Sequence, residues 1–175
     1  MCAFFARQFS TCFVLMIGLV CMKMNKLTDL LISQLYLSLS TVSGDGEPWG
    51  TPLFFVFNKS ENCFYWWSAL NARHSKNIRQ NGKCFITIFD SSDKEGEGSG
   101  IYFTAEADEL SSSKDINDAT ELYNQKAKTF KLSLRDCTGN APTRIYRARI
   151  IKSWHNADAH DDNNKFYDVR EVLKL

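Results

Sequence analysis

The run Cys63-Phe64-Tyr65-Trp66-Trp67-Ser68-Ala69-Leu70-Asn71-Ala72-Arg73-His74-Ser75-Lys76-Asn77-Ile78-Arg79-Gln80-Asn81-Gly82-Lys83-Cys84-Phe85-Ile86-Thr87-Ile88-Phe89 decides how the rest of the chain is read. It opens with an aromatic-rich segment, Cys63–Ser68, which has the composition of a strand. Asn71 is a plausible N-cap, Ala72–Gln80 makes about two helical turns, and Asn81-Gly82 supplies the stop. Lys83–Phe89 then alternates with period two, with Cys84, Ile86 and Ile88 on one side. A short helix is thus set between two strands.

Working outward, the same pattern continues. Thr28 can cap a short helix to about Gln34, and Tyr36–Ser40 alternates as a half-buried strand does. Ser43-Gly44-Asp45-Gly46 is a turn cluster. Trp49–Phe57 reads as one strand, turned back by Asn58–Asn62 into Cys63–Ser68 to make an antiparallel meander. Past Phe89 comes a polar, glycine-bearing loop to Ser99, then a strand at Ile101–Glu106. An amphipathic helix runs from Ser113 or Asp115 to about Lys126, with Ile116, Ala119, Leu122 and Tyr123 at helical spacing. Asp115, Asp118 and Glu121 fit helix-start charges favoured by the dipole. Arg144–Trp154 is a further strand, His155–Asp162 a hydrophilic loop, and Tyr167–Leu173 a last strand. The expected fold is mainly β with inserted helices, closed into a small antiparallel barrel.

The chain has 175 residues, enough for one domain with its own core. Basic and acidic side chains number 21 and 20, so a non-specific nucleic-acid binder is not expected. The balance is uneven. Residues 1–26 hold Arg7, Lys23 and Lys26 and no acid, whereas residues 27–175 hold 18 basic and 20 acidic groups. The leader also contains the apolar run Cys12–Met22, too short for a membrane span of about 20 residues but the length of a signal-peptide core. No small-x-small cleavage site follows it. Three readings stay open for residues 1–26: an uncleaved signal or anchor, a buried or disordered extension, or an upstream start with Met22 or Met24 as the internal one. The folded domain is taken as 27–175. A membrane partner enters only if the leader is a genuine anchor. Six cysteines form no C-x-x-C pair and no zinc spacing, so the body reads as cytoplasmic.

From Asn62 through Phe89 there is no acidic residue, while Arg73, Lys76, Arg79 and Lys83 are basic. The cations begin where the helix begins. A helix start offers free N–H groups and a positive dipole end, which suits a phosphate. Arg73 can fork onto phosphate oxygens, Lys76 follows one turn on, and Ser68 and Ser75 offer hydroxyls. Trp66 and Trp67 could wall a flat ring, and His74 is either a surface residue or a phosphate donor. His155 and His160 lie in a metal-like but hydrophilic segment, and no metal site is expected there. No GxGxxG, P-loop or GxSxG motif occurs, and no general base can be named, so chemistry here would belong to a cofactor.

The order of segments resembles the pyridoxamine 5'-phosphate oxidase-like family of flavin-binding split barrels. The resembling residues are Leu39-Ser40-Thr41-Val42, Gly44-Asp45-Gly46-Glu47-Pro48-Trp49, Thr51-Pro52-Leu53-Phe54-Phe55, Tyr65-Trp66-Trp67-Ser68, Arg73-His74-Ser75-Lys76-Asn77-Ile78 and Phe85–Asp90, with Gly96–Gly100 before Ile101-Tyr102. The resemblance implies a six- to seven-stranded antiparallel split β-barrel and a homodimer with FMN in two clefts at the interface. By position it implies that Trp67 and Ser68 contact flavin and phosphate, and that Arg73 binds the phosphate. Thr51 and Leu53 would lie on the strand passing the isoalloxazine ring, Trp154 near the flavin, and Ser99 and Gly100 would approach from the partner subunit. The chain also departs from the family. Thr51–Phe57 carries no cation, the helix-start lysine is His74 with Lys76 beside it, and Gly100 takes a glutamine position. The C-terminal Arg-x-His-Asp-Arg is absent, so oxidation of pyridoxamine phosphate itself is not implied; Tyr167-Asp168-Val169-Arg170 stands in its region.

The expected function is an FMN-dependent oxidoreductase acting on a small molecule. A non-catalytic flavin or haem carrier on the same barrel is the alternative, and an exported lipocalin-like barrel is a third class.

Overall fold

A computed structural model describes residues 27–95, 98, 100–160 and 165–174. The leader, Ser99 and residues 161–164 of the expected polar loop lie outside the described residues. The element order is α1 (residues 27–33), β1 (Tyr36–Val42), β2 (Pro48–Phe54), β3 (Val56–Asn58), β4 (Cys63–Ala69), α2 (Arg73–Asn81), β5 (Lys83–Phe89), β6 (Gly100–Glu109), α3 (Ser113–Lys126), a 3-10 turn at Leu134–Asp136, β7 (Thr143–His160) and β8 (Phe166–Val172).

All strand pairs are antiparallel, and the sheet runs β2-β1-β5-β6-β7-β4-β3 with β8 on the far part of β7. That is eight strands among the described residues, against six or seven expected. One difference is the segment predicted as a single strand over Trp49–Phe57. It breaks at Phe55, which is fully buried and donates its N–H to the Leu35 carbonyl at 3.3 Å. Before the break β2 pairs with β1; after it β3 pairs with β4. The two edges of the sheet are therefore one residue apart in the chain, and this covalent link curls the sheet into the split barrel.

A second difference is the segment from His155, expected as a loop. β7 continues through it to His160, because Trp154–His160 pairs with Phe166–Val172. Its 18 residues serve three neighbours: β4 at the start, β6 along the middle and β8 at the end. Thr104 faces Lys152 and Ala105 faces Ile150, so Ile151 bulges outward and bends the strand.

Alternation divides the side chains between two cores. Inside the barrel lie Leu37, Leu39, Phe64, Trp66, Ile86, Ile88, Ile101, Phe103 and Tyr146. Outside, α3 lays Ile116, Ala119 and Tyr123 against Tyr65, Val56 and Ile145. The start of α3 is capped by Ser112, whose hydroxyl accepts from the Asp115 N–H. α2 lies across one end of the barrel, burying Asn77 and Ile78. It stops at Gly82, in the left-handed region at φ 68°, whose carbonyl accepts from the Ala107 N–H at 2.7 Å.

Candidate functional site

The site is built at the β4–α2 connection. Contrary to expectation Asn71 is not the cap: Ala72 holds the N-cap position with φ −59° and ψ 145° and has no side chain to offer. The first turn holds no acid either. The first-turn N–H groups of α2 therefore have no capping side chain.

Arg73 is fixed from the other side of the barrel mouth. It pairs with Glu47 in the β1–β2 turn, and its guanidinium stands 4.8 Å from the centroid of the Trp49 ring. Arg79 is drawn to Glu109 at 3.1 Å, to the Tyr146 hydroxyl at 3.1 Å and to the Leu70 carbonyl at 2.6 Å. Two of the four cations in the acid-free stretch thus receive carboxylates from distant segments. Lys76 remains exposed on the next turn.

His74 is turned inward and buried. Its Nε2 lies 2.7 Å from the Ser68 Oγ, and burial holds its pKa below the ordinary 6.5. At neutral pH it is an uncharged ring that orients Ser68, not a cationic phosphate donor. Ser75 is fully buried and its hydroxyl has no hydrogen-bond partner, while burial raises the pKa of the Tyr146 phenol. Beside them Asn77 Nδ2 donates to Thr41 Oγ1 at 3.0 Å, and Gln80 Oε1 accepts from the Gly44 N–H at 2.9 Å. These two bonds tie α2 to β1 and its turn.

The other predicted residues scatter. Trp66 is sealed in the barrel, stacked on Tyr146 at 5.9 Å between centroids, so it cannot wall a ligand. Trp67 faces the opposite way and stacks on Phe130 at 5.2 Å; its Nε1 is buried without a hydrogen-bond partner. Leu53 packs into the barrel core, and Thr51 faces the same side with an unpartnered buried hydroxyl. Gly100 and Trp154 lie at the other end of the sheet. Ser68 faces Arg144 on β7, ten residues before Trp154, which is about 30 Å of strand. One chain therefore brings Ser68, Arg73 and His74 together and leaves Gly100 and Trp154 remote. At that remote end the Gly100 N–H and the Tyr102 hydroxyl both donate to Asn156 Oδ1, and Arg170 lies 4.0 Å over the Tyr102 ring.

Sequence reasoning missed Glu47, Trp49, Thr41 and Asn77 as site residues. Their contacts with each other or with α2 span up to 36 residues, which no local pattern reports. Cys63, Cys84 and Cys137 are buried free thiols pushed up to about 11, 12 and 11 by burial, so none is an activated nucleophile. Among the described residues no group of three His, Cys, Asp or Glu could hold a metal ion, and no helix is long and apolar enough to cross a membrane.

An antiparallel sheet whose edge strands are joined through Phe55, with a helix across one mouth, defines a split-barrel protein. The family model for pyridoxamine 5'-phosphate oxidase matches residues 24–154, and the chain belongs to that family. Comparison with curated protein sequences gives no match. Several solved structures share the fold at low identity. The heme storage protein HutZ of Vibrio cholerae is 19% identical over 72% of this chain and 88% of its own, with a TM-score of 0.58. An FAD-binding protein of Mesorhizobium loti is 15% identical over 73% and 89%, with a TM-score of 0.55. HupZ of Group A Streptococcus is 16% identical over 75% and 91%, with a TM-score of 0.56.

Proposed function

We propose that this chain is an FMN-binding, flavin-dependent oxidoreductase that works as a homodimer. The observation that carries this reading is the uncapped start of α2, with Arg73 stacked on Trp49 and paired to a carboxylate. Glu47 stands where an anionic group would bind, and a flavin phosphate would take its place on the guanidinium. Ser68, oriented by neutral His74, would add a hydroxyl bond, and Lys76 a second positive charge. When bound, the flavin supplies the hydride chemistry. The protein's own part is to hold the phosphate and orient the ring; no side chain of this site is assigned as acid or base.

The separation of Arg73 from Trp154 supports the dimer. Two copies packed through the outer side of β1, β5 and β6 would bring the Gly100 end of one near the α2 end of the other. That outer side carries the partly exposed Ser38, Phe85, Thr87, Tyr102 and Thr104. The small-molecule substrate is left open. Buried free thiols suit a reducing compartment, so we place the protein in the cytoplasm.

A carrier of flavin or haem is the second reading, favoured by the likeness to HutZ and to the FAD-binding protein. The absorption spectrum and mass of the cofactor that copurifies test both. A flavin spectrum, FMN mass and reduction by a nicotinamide or quinone couple support the enzyme. Haem absorbance, or flavin that no couple reduces, supports the carrier. A colourless protein whose melting ignores FMN would sink the flavin reading; at 100 times its dissociation constant FMN should add about 2.7 kcal/mol.

A further inference from the structure

β8 pairs with β7, and among the described residues no strand pairs with its other edge. The phase of that open edge follows from its end. The Leu173 N–H donates to the Ser153 carbonyl at 2.9 Å, so Leu173, Glu171, Val169 and Tyr167 turn their backbone polar groups toward β7. Val172, Arg170, Asp168 and Phe166 alternate with them and turn theirs away from the sheet. Proteins blunt such an edge with proline, lysine, a bulge or shortness. The strands at the two ends of the sheet order follow that rule: β2 carries Pro48 and Pro52, which cannot donate, and β3 has three residues. β8 does not. Its seven residues include no proline, glycine or lysine, its register with β7 has no shift, and Tyr167, Val169 and Val172 are exposed.

We propose that the β8 edge is a self-association surface, on which β8 of a second copy of this chain pairs antiparallel about a two-fold axis at Val169. The order of charges along the strand selects both the partner and the register. An axis at Asp168, Arg170 or Glu171 would set a charged residue against its own copy, which is destabilising. An axis at Val169 sets Asp168 opposite Arg170 and Phe166 opposite Val172, each pair twice by symmetry. Both pairs then fall at positions whose backbone groups point outward, so each copy satisfies the other's open edge. The Arg170 guanidinium lies 4.0 Å over the Tyr102 ring and pairs with no carboxylate among the described residues. A strand of another protein would meet the same backbone groups without matching this charge order. The contact uses the edge of the sheet and leaves its outer face untouched. Where the face of β1, β5 and β6 also joins two copies, the edge links such pairs further.

Full chains carrying Val169→Cys, Tyr167→Cys or Glu171→Cys are oxidised with diamide, and the disulfides between copies are mapped by mass spectrometry. At the axis position 169 meets itself in a non-hydrogen-bonded pair, with Cα atoms about 4.5 Å apart and within disulfide reach. Positions 167 and 171 each lie about 13 Å along the strand from their own copies. The Val169→Cys chain should therefore link through that position at least ten-fold faster than the other two link through theirs. Adding Arg170→Pro removes an N–H that points away from β7, and should abolish the link while keeping the melting temperature. Arg170→Asp should slow the link, and Asp168→Arg in the same chain should restore it. Equal rates for the three cysteine chains overturn the proposal, as does a link that survives Arg170→Pro. The absence of any link, which a strand of another protein held on this edge would produce, also overturns it. The comparison of cysteine positions decides the matter even if Arg170→Pro fails to fold. The link should persist without FMN and in the Phe85→Asp chain, so this result stands apart from the flavin reading and from the proposed dimer face.

Discussion

Ser68 and His74 face each other across the β4–α2 connection, Oγ to Nε2 at 2.7 Å, with the imidazole buried and its pKa lowered by that burial. They lie six positions apart in the chain, and the pair closes the corner on which Arg73 sits.

The burial of His74 sets a pH dependence. Its folded pKa is depressed below 6.5, so between the two values the unfolded chain binds more protons. The contribution is fully present above about pH 6.5 and is lost as the pH falls toward the folded value. Urea denaturation at pH 5, 6, 7 and 8 should show wild type losing stability on the acid side more steeply than His74→Gln. Parallel curves would remove the histidine from the account.

Arg73→Ala should weaken FMN about 10- to 100-fold, the size of a lost charge-assisted hydrogen bond. Riboflavin, lacking the phosphate, should change less than about two-fold by the same reasoning. Glu47→Gln should tighten FMN, because it removes the carboxylate that occupies the guanidinium. Fluorescence titration reads all three, and equal losses for FMN and riboflavin would refute the phosphate assignment.

Gly82 ends α2 at φ 68°, and a Cβ there would meet the Ala107 carbonyl at 3.1 Å. Gly82→Ala should cost about 1–2 kcal/mol from the left-handed backbone alone. Chemical denaturation should show a lower midpoint with an unchanged slope.

Phe64 is fully buried and touches three rings, with centroids 5.7 Å from Phe55, 5.1 Å from Phe57 and 5.0 Å from Phe103. Phe64→Ala should cost about 3–5 kcal/mol, from the lost burial of the ring and the cavity it leaves.

Phe85 faces outward, 6.3 Å from the Tyr102 ring, on the side proposed to join two copies. Phe85→Asp should halve the mass seen by sedimentation velocity and reduce FMN affinity, while thermal melting in the absence of FMN drops only by the lost association. A wild-type chain that sediments as a monomer with FMN bound would overturn the dimer.

Local order fixed much of this protein in the sequence alone. The alternation of Lys83–Phe89, the helix from Ser113 to Lys126 and the stop at Gly82 are each decided by residues within a few positions of one another, so they were legible. The candidate phosphate corner was legible for the same reason: Ser68, Arg73 and His74 lie within seven residues. Only the tertiary structure decided that the Trp49–Phe57 strand breaks at Phe55, since the break comes from pairing with two different neighbours. It also decided that adjacent Trp66 and Trp67 serve separate cores and that Glu47 occupies Arg73. Each of these depends on what distant segments bring to within a few ångströms, and burial changes the charge, partner and accessibility of a side chain without leaving a periodic mark in the chain.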